Sequence, residues 1–305
     1  MNQTLAYLNG RWVTPSELTI PIHDAGFVLG ATVTEQLRTF RGELFRLDDH
    51  LQRLYHSLEI VGVDPGHTAA QLAEIAREAV ARNYPLLADG DDLGVGIFVT
   101  PGPYPTLSGD ADRQPTVCVY TYPLPFHLAV DKYDHGEVAV ISPVLQVPAA
   151  SWPTELKCRS RIHYYLADQH ARAIDPAARA ILLDESGMVN EASTANIVMV
   201  TQGKGLVSPP REKILPGISL TVLSELAEQL GIAVTRRDIR PQELAEADEL
   251  LLTSTTVCVL PVVRLDGKPI GSGAPGKVYR RLLTAWSELV GINIAEQAVR
   301  FAKRD

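Results

Sequence analysis

Two tight turns near the start of the chain constrain its fold more than any other feature. Asn9-Gly10 joins the two apolar runs of LAYLNGRWV, and Arg41-Gly42 joins TEQLRTF to ELFRL. Asn-Gly between apolar runs is the strongest short hairpin signal. The chain therefore opens on antiparallel strand pairs. A helix follows. Leu51, Leu54, Tyr55, Leu58 and Val61 recur at helical spacing in DDHLQRLYHSLEIVG, with Asp48 as the expected cap. Residues 69–82 read as a second amphipathic helix, and DLGVGIFVT and TVCVYTYPL as strands.

The stretch YPLPFHLAVDKYDHG then breaks the pattern with two prolines and mixed polarity. It reads as a connection, which divides the chain into residues 1–123, a connection over 124–136, and residues 137–305. In the second part, EVAVISPV is strand-like and LKCRSRIHYYLADQHARA helical. RAILLDESGMVNEASTANIVMV reads as two strands around a Ser-Gly turn. PGISLTVLSELAEQLGI is a helix ended by Gly231, DELLLTST a strand, and KVYRRLLTAWSELVG a C-terminal helix. Strands and helices mix without the regular rhythm of a doubly wound sheet. The expected class is α/β in the wider α+β sense. Neither G-x-G-x-x-G after a strand nor G-x-x-x-x-G-K-[ST] occurs.

Composition narrows the partners. The net charge is -8, which gives no electrostatic reason to bind nucleic acid or an anionic membrane. Any anion must be held by local geometry. Cys118, Cys158 and Cys258 form no C-x-x-C pair, so reduced thiols and no metal are expected. No signal peptide or membrane-length apolar run is visible, which fits a cytoplasmic protein.

Seven lysines bound the choice of an amine nucleophile. Lys204, Lys268 and Lys277 adjoin glycines in turn-like sequence, and Lys303 lies in the tail. Lys157 differs, because it opens a helix after the Ser151-Trp152-Pro153 turn and has Arg159 and Arg161 as cationic neighbours. Such neighbours lower a lysine pKa and free its amine. Glu191, in GMVNEASTANIV, offers a carboxylate that could keep a pyridine nitrogen protonated. Pro216-Gly217 opens a helix whose free N–H groups suit phosphate, Thr255 could add a bond, and Arg53 suits a bidentate grip. Taken singly, each also reads as an ordinary surface or turn residue. His23, His50, His56 and His163 have no metal-ligand spacing and read as structural or surface residues. No G-x-S-x-G elbow supports a serine hydrolase.

In their order along the chain, these segments resemble the class IV (fold-type IV) pyridoxal-phosphate (PLP) aminotransferases. The likeness runs from Tyr7-Leu8-Asn9-Gly10 and His23-Asp24-Ala25-Gly26-Phe27 through GATVTEQLRTF and DDHLQRLYHSLEI. It continues through LKCRSRIHYYLA, GMVNEASTANIV, ILPGISLTVLSELAEQLGI and ADELLLTSTTVCVLPV to the turn from Asp266 to Gly271. The resemblance implies a small N-terminal α/β domain, a larger β-barrel-like α/β domain, PLP between them, and a homodimer. It implies Lys157 as the Schiff-base lysine and Glu191 at the pyridine nitrogen. It further implies Arg53, Ile218, Ser219 and Thr255 at the phosphate, and Leu215 against a ring face. The implied reaction is ping-pong transfer of an amino group from an amino acid to a 2-oxo acid such as 2-oxoglutarate.

The substrate is less constrained. D-amino-acid members carry Pro-Arg-x-His after a strand, whereas this chain has TPGPYPTLSGD. Branched-chain members carry V-F-E-G-[IL]-R, whereas this chain has Val33-Thr34-Glu35-Gln36-Leu37-Arg38. They also place a tyrosine soon after the lysine to bond the cofactor oxygen. Ile162 aligns there, and Tyr164 serves only if the alignment shifts. A branched-chain-like L-amino acid is the expected donor, with Arg38 and the Thr255–Thr256 backbone as candidates for its carboxylate. D-amino-acid or R-amine transamination, and an aminodeoxychorismate-type PLP lyase, are the alternatives.

Overall fold

The computed structural model describes residues 3–109, 114–201, 203 and 205–304. Lys204, read above as lying beside a glycine in turn-like sequence, lies outside them. The chain divides into two compact units. One comprises residues up to Leu124 with Leu156–Ser160, the other Pro125–Glu155 with the residues from Arg161 onward.

The first unit contains strands β1 (Ala6–Leu8), β2 (Arg11–Val13), β3 (Val33–Phe40), β4 (Glu43–Leu44), β5 (Leu93–Thr100) and β6 (Thr116–Pro123). Its helices are α1 (Ala25–Val28), α2 (Leu47–Val61), α3 (Ala69–Asn83) and α4 (Pro105–Ser108). The strands form one antiparallel sheet in the order β2-β1-β6-β5-β3-β4. Both hairpins occur as the turn residues require, with Asn9 and Gly10 at φ 47° and 84° and Arg41 and Gly42 at φ 53° and 77°. The apolar stripes of α2 and α3 bury Leu51, Leu54, Leu58, Leu72 and Ala76 against Leu37, Val95, Ile97 and Val119 of the sheet. Burying one such leucine stabilises the fold by about 1.5–3 kcal/mol. The capping box of Thr68 and Gln71 starts α3. The cap of α2 differs from expectation. Arg46, at φ 56° and with no side-chain bond to the helix's first N–H groups, holds the cap position, and Asp48 lies in the first turn, where the helix dipole favours it.

The largest departure concerns Lys157. It does not open a helix, because the helix begins at Ile162. Leu156–Ser160 instead runs extended along β3: Thr34 N–H donates to the Lys157 carbonyl at 3.0 Å, and Arg159 N–H donates to the Thr32 carbonyl at 2.9 Å. The open edge of β3 supplies partners that a helical reading of LKCRSRIHYY cannot see.

The second unit contains α5 (Lys132–His135), β7 (Glu137–Ile141), α6 (Ile162–Ile174), β8 (Ala178–Leu183), β9 (Val189–Ala192), β10 (Asn196–Thr201) and β11 (Gly205–Ser208). It continues with α7 (Ile218–Gln229), β12 (Val234–Arg236), α8 (Pro241–Ala245), β13 (Glu249–Ser254), β14 (Cys258–Leu265), β15 (Lys268–Pro269), α9 (Lys277–Val290) and α10 (Ile294–Phe301). Its strands form a mixed sheet in the order β12-β11-β10-β13-β14-β7-β8-β9, with β15 on β14. End strand β9 is joined to interior strand β10 by only three residues, with Ala192 bridged to Ala195. A sheet whose end returns to its own interior must curl, and this one is a half-barrel. Ile181, Val189, Ile197, Leu250, Leu252 and Val262 fill one apolar cluster of this unit. On the sheet, α6 packs Ala167 and Ala171 against Val140, Ala180 and Leu182.

Two segments depart from the sequence reading. Residues 178–201 form three strands rather than two, because the chain also turns at Thr194, at φ 62°. After α9, Asn293 caps an additional helix, α10, by accepting from Glu296 N–H. Among the described residues no helix is long and apolar enough to cross a membrane.

Candidate active site

In the first unit, β3 alternates, so Glu35 faces α2 together with Val33 and Leu37. His50 and Arg53, three residues apart on α2, meet it there. Arg53 grips the carboxylate with both ends of its fork: Nε donates to Oε1 at 2.7 Å and Nη2 to Oε2 at 2.9 Å. His50 Nδ1 lies 2.7 Å from Oε2. Burial opposes ionisation of Glu35, but the Arg53 charge and the bonds from Arg53 and His50 prevail, and its pKa falls well below the carboxylate range. Burial, reinforced by the charges of Arg53 and Lys157, lowers the His50 pKa against the pull of Glu35. His50 therefore stays neutral at pH 7, and Arg53 carries the counter-charge. The arginine assigned to phosphate by resemblance is thus fixed in plane by a carboxylate.

Lys157 is half-buried beside this cluster. Its N–H donates to Ser57 Oγ of α2 at 3.1 Å, while its carbonyl accepts from Thr34. Other lysines are placed for other work. Lys132 pairs with Glu137 at 3.0 Å, and Lys213 pairs with Asp184 and Asp238 at 3.0 and 2.7 Å. Lys268, Lys277 and Lys303 are exposed, as their turn-like and tail sequences suggest. Arg38, a candidate for substrate carboxylate, is 1 % exposed; its guanidinium lies 3.9 Å from the Phe40 ring centroid and its Nε donates to the Thr39 carbonyl.

In the second unit, Glu191 is on β9 and 4 % exposed. The Tyr164 hydroxyl donates to Oε1, and Gln146 Nε2 donates to the same oxygen at 2.5 Å. Asn196 Nδ2 and Leu215 N–H approach Oε2 at 3.5 and 3.4 Å. Asn196 Nδ2 also holds the Leu215 carbonyl at 3.0 Å. Gly217 closes the group: a Cβ there would lie 1.9 Å from Asn196 Oδ1, so only glycine lets the chain enter α7 this close. Gly217 caps α7 without a side-chain bond, so its first N–H groups, at half-buried Ile218 and buried Ser219, face an end that suits an anion. Thr255 and Thr256 lie in the turn between β13 and β14, whose Val257 carbonyl accepts from Tyr133 Oη at 3.1 Å.

These residues suit PLP on their own chemistry. Donors on a buried carboxylate favour its charged form, the form that can take a protonated pyridine nitrogen. A glycine-started helix of twelve residues suits a phosphate. Sequence reasoning missed Glu35, His50, Gln146 and Tyr164 as members of these clusters. The three-residue spacing of His50 and Arg53 was a readable signal for the first. Gln146 lies 45 residues from Glu191, and nothing local marks it.

Comparison with known proteins identifies the family. The family described as amino-transferase class IV matches residues 32–265. The D-alanine aminotransferase of Bacillus licheniformis is 30% identical over 278 residues, covering 91% of this chain and 94% of that protein. A putative branched-chain-amino-acid aminotransferase of Methanocaldococcus jannaschii is 28% identical, covering 93% of this chain and 95% of that protein. The solved structure of the T.th. branched-chain amino acid aminotransferase with pyridoxamine 5'-phosphate superposes with a TM-score of 0.84 at 25% identity, over 95% of each chain.

Proposed function

Because the chain belongs to the class IV aminotransferases, which depend on PLP, we propose that it moves an amino group from a branched-chain-like L-amino acid to a 2-oxo acid such as 2-oxoglutarate. The observation that carries the site reading is buried Glu191, held by the Tyr164 hydroxyl and the Gln146 amide. In this reading Lys157 binds the cofactor covalently through Nζ, and Glu191 holds its ring nitrogen. Arg53, Thr255 and the α7 N-terminus at Ile218 and Ser219 take its phosphate, and Leu215 packs on a ring face. Bound PLP supplies an electron sink for the α-carbon of the donor. Lys157 Nζ would take the proton from that α-carbon as a base and give it back on the cofactor side as an acid. Water would then release the donor skeleton as a 2-oxo acid, its nitrogen staying with the cofactor until the acceptor binds, which is ping-pong chemistry. Homodimeric assembly and a cytoplasmic setting belong to the same reading.

For the donor carboxylate, the 1 % exposure of Arg38 favours the Thr255–Thr256 turn. The absence of arginine and histidine from TPGPYPTLSGD supports an L-donor over a D-donor. D-alanine transamination is the second reading, favoured by the 30% identity to the Bacillus licheniformis enzyme. Adding L-leucine, L-glutamate, D-alanine or R-1-phenylethylamine singly to the PLP-loaded protein separates the two. Conversion of the cofactor absorbance to that of pyridoxamine phosphate by L-leucine and not by D-alanine is expected. Conversion by D-alanine alone overturns the donor assignment. Repeated turnover of a substrate with no 2-oxo acid acceptor present would indicate a lyase.

A further inference from the structure

Tyr164 lies seven residues after Lys157, where a hydroxyl is free by sequence to serve either the cofactor or the protein. The structure commits it to the protein. Its hydroxyl donates to Glu191 Oε1, and Gln146 Nε2 bridges the two, 3.3 Å from Tyr164 Oη and 2.5 Å from Oε1. The Tyr164 ring packs on His163 with centroids 4.1 Å apart. Ile162, which aligns with the tyrosine of branched-chain members, carries no hydroxyl and is 68 % exposed.

We propose that Tyr164 and Gln146 are positioning residues that act on the cofactor through Glu191, fixing the carboxylate as an anion aimed at the ring nitrogen. This rests on the reading of Glu191 as the ring-nitrogen partner. Two donors on one oxygen favour the charged carboxylate and remove its freedom to rotate. Burial first, and then the Glu191 charge, raise the Tyr164 pKa well above 10, so the phenol keeps the proton that it donates. The other titratable neighbours are Arg161, at the cap of α6, and His163, whose pKa burial and Arg161 push down to about 4. His163 therefore stays neutral and leaves the Tyr164–Glu191 bond undisturbed near pH 7. Asn196 Nδ2 and Leu215 N–H approach the other carboxylate oxygen from β10 and the loop before α7.

The consequence is specific. Without the Tyr164 donor, Glu191 becomes more basic and draws the ring proton toward itself. A ring with less positive charge makes the linked Lys157 nitrogen less acidic. In the Tyr164→Phe holoenzyme, the pH midpoint of the cofactor absorbance change therefore moves upward, and kcat falls roughly ten- to a hundredfold, the size of one hydrogen bond to a charged group, with donor KM little changed. Gln146→Leu shifts both in the same direction by less. Borohydride reduction followed by peptide mapping reports whether each variant still carries PLP on Lys157, and titration of the apoprotein with PLP reports affinity. A midpoint and kcat equal to wild type in both variants overturn the proposal. A fall in kcat with no midpoint shift also overturns it, since that is a merely structural loss. Glu191→Gln separates the parent reading: if that variant leaves the midpoint unmoved, Glu191 is not the ring-nitrogen partner, and the failure lies there.

Discussion

Glu35 and Glu191 are both buried carboxylates in strands, yet they are held in different ways. Glu35 meets a guanidinium fork and a neutral imidazole. Glu191 meets a phenol, two side-chain amides and a backbone N–H. A carboxylate clamped to a cation spends its charge inside the protein and fixes that cation. Neutral donors orient a carboxylate without cancelling its charge, which remains for a cationic ligand. The first arrangement fixes Arg53 in place, and the second, in the reading proposed above, leaves Glu191 charged toward the ring nitrogen. Substitutions should therefore separate stability from chemistry.

The largest effect is expected for Glu35→Gln. It removes the charge that pairs with buried Arg53, and a loss of about 3–5 kcal/mol in unfolding free energy should appear in denaturant melts. An unchanged melt would erase the contrast. Glu191→Gln should melt near wild type but lose about 10²–10³ in kcat, the size typical for removing a preorganised electrostatic partner. If instead it unfolds the protein, Glu191 is scaffold as well. Gly217→Ala pushes a methyl into Asn196, and strain of about 1–3 kcal/mol should read out as weaker PLP binding to the apoprotein rather than as a slower chemical step.

The smallest effect is on pH. Glu35 has a folded pKa below its ordinary 4.5, so its stabilisation is present above that value and is lost as pH falls below it. The folded pKa of His50 is lowered from 6.5, so the folded state resists its protonation and stability begins to fall below pH 6.5. Melting temperatures should decline from pH 6.5 downward and more steeply below 4.5. His50→Gln should flatten the upper part of that decline, and a curve identical to wild type would remove His50 from the account.

What the sequence made legible follows from range. Turns and stripes are local, so the Asn9-Gly10 and Arg41-Gly42 hairpins and the helices α2, α3, α7 and α9 could be read directly. Lys157 and Glu191 stood out through order and context along the chain. Their supports did not, because they come from far away. The extended path of Leu156–Ser160 depends on the edge of β3, more than 120 residues earlier by number. The turn at Thr194 lacks the glycine or proline that marks most turns. Gln146 and Tyr164 lie 45 and 27 residues from Glu191 along the chain, and Asn196, only five residues on, meets it because the chain turns back at Thr194.

The most direct test of the central claim is chemical. The PLP-loaded protein is reduced with borohydride, digested, and its peptides are mapped by mass. One phosphopyridoxyl adduct is expected, on the nitrogen of Lys157, with its loss from Lys157→Ala. An adduct on another lysine, or none in a protein that has taken up PLP, would contradict that claim.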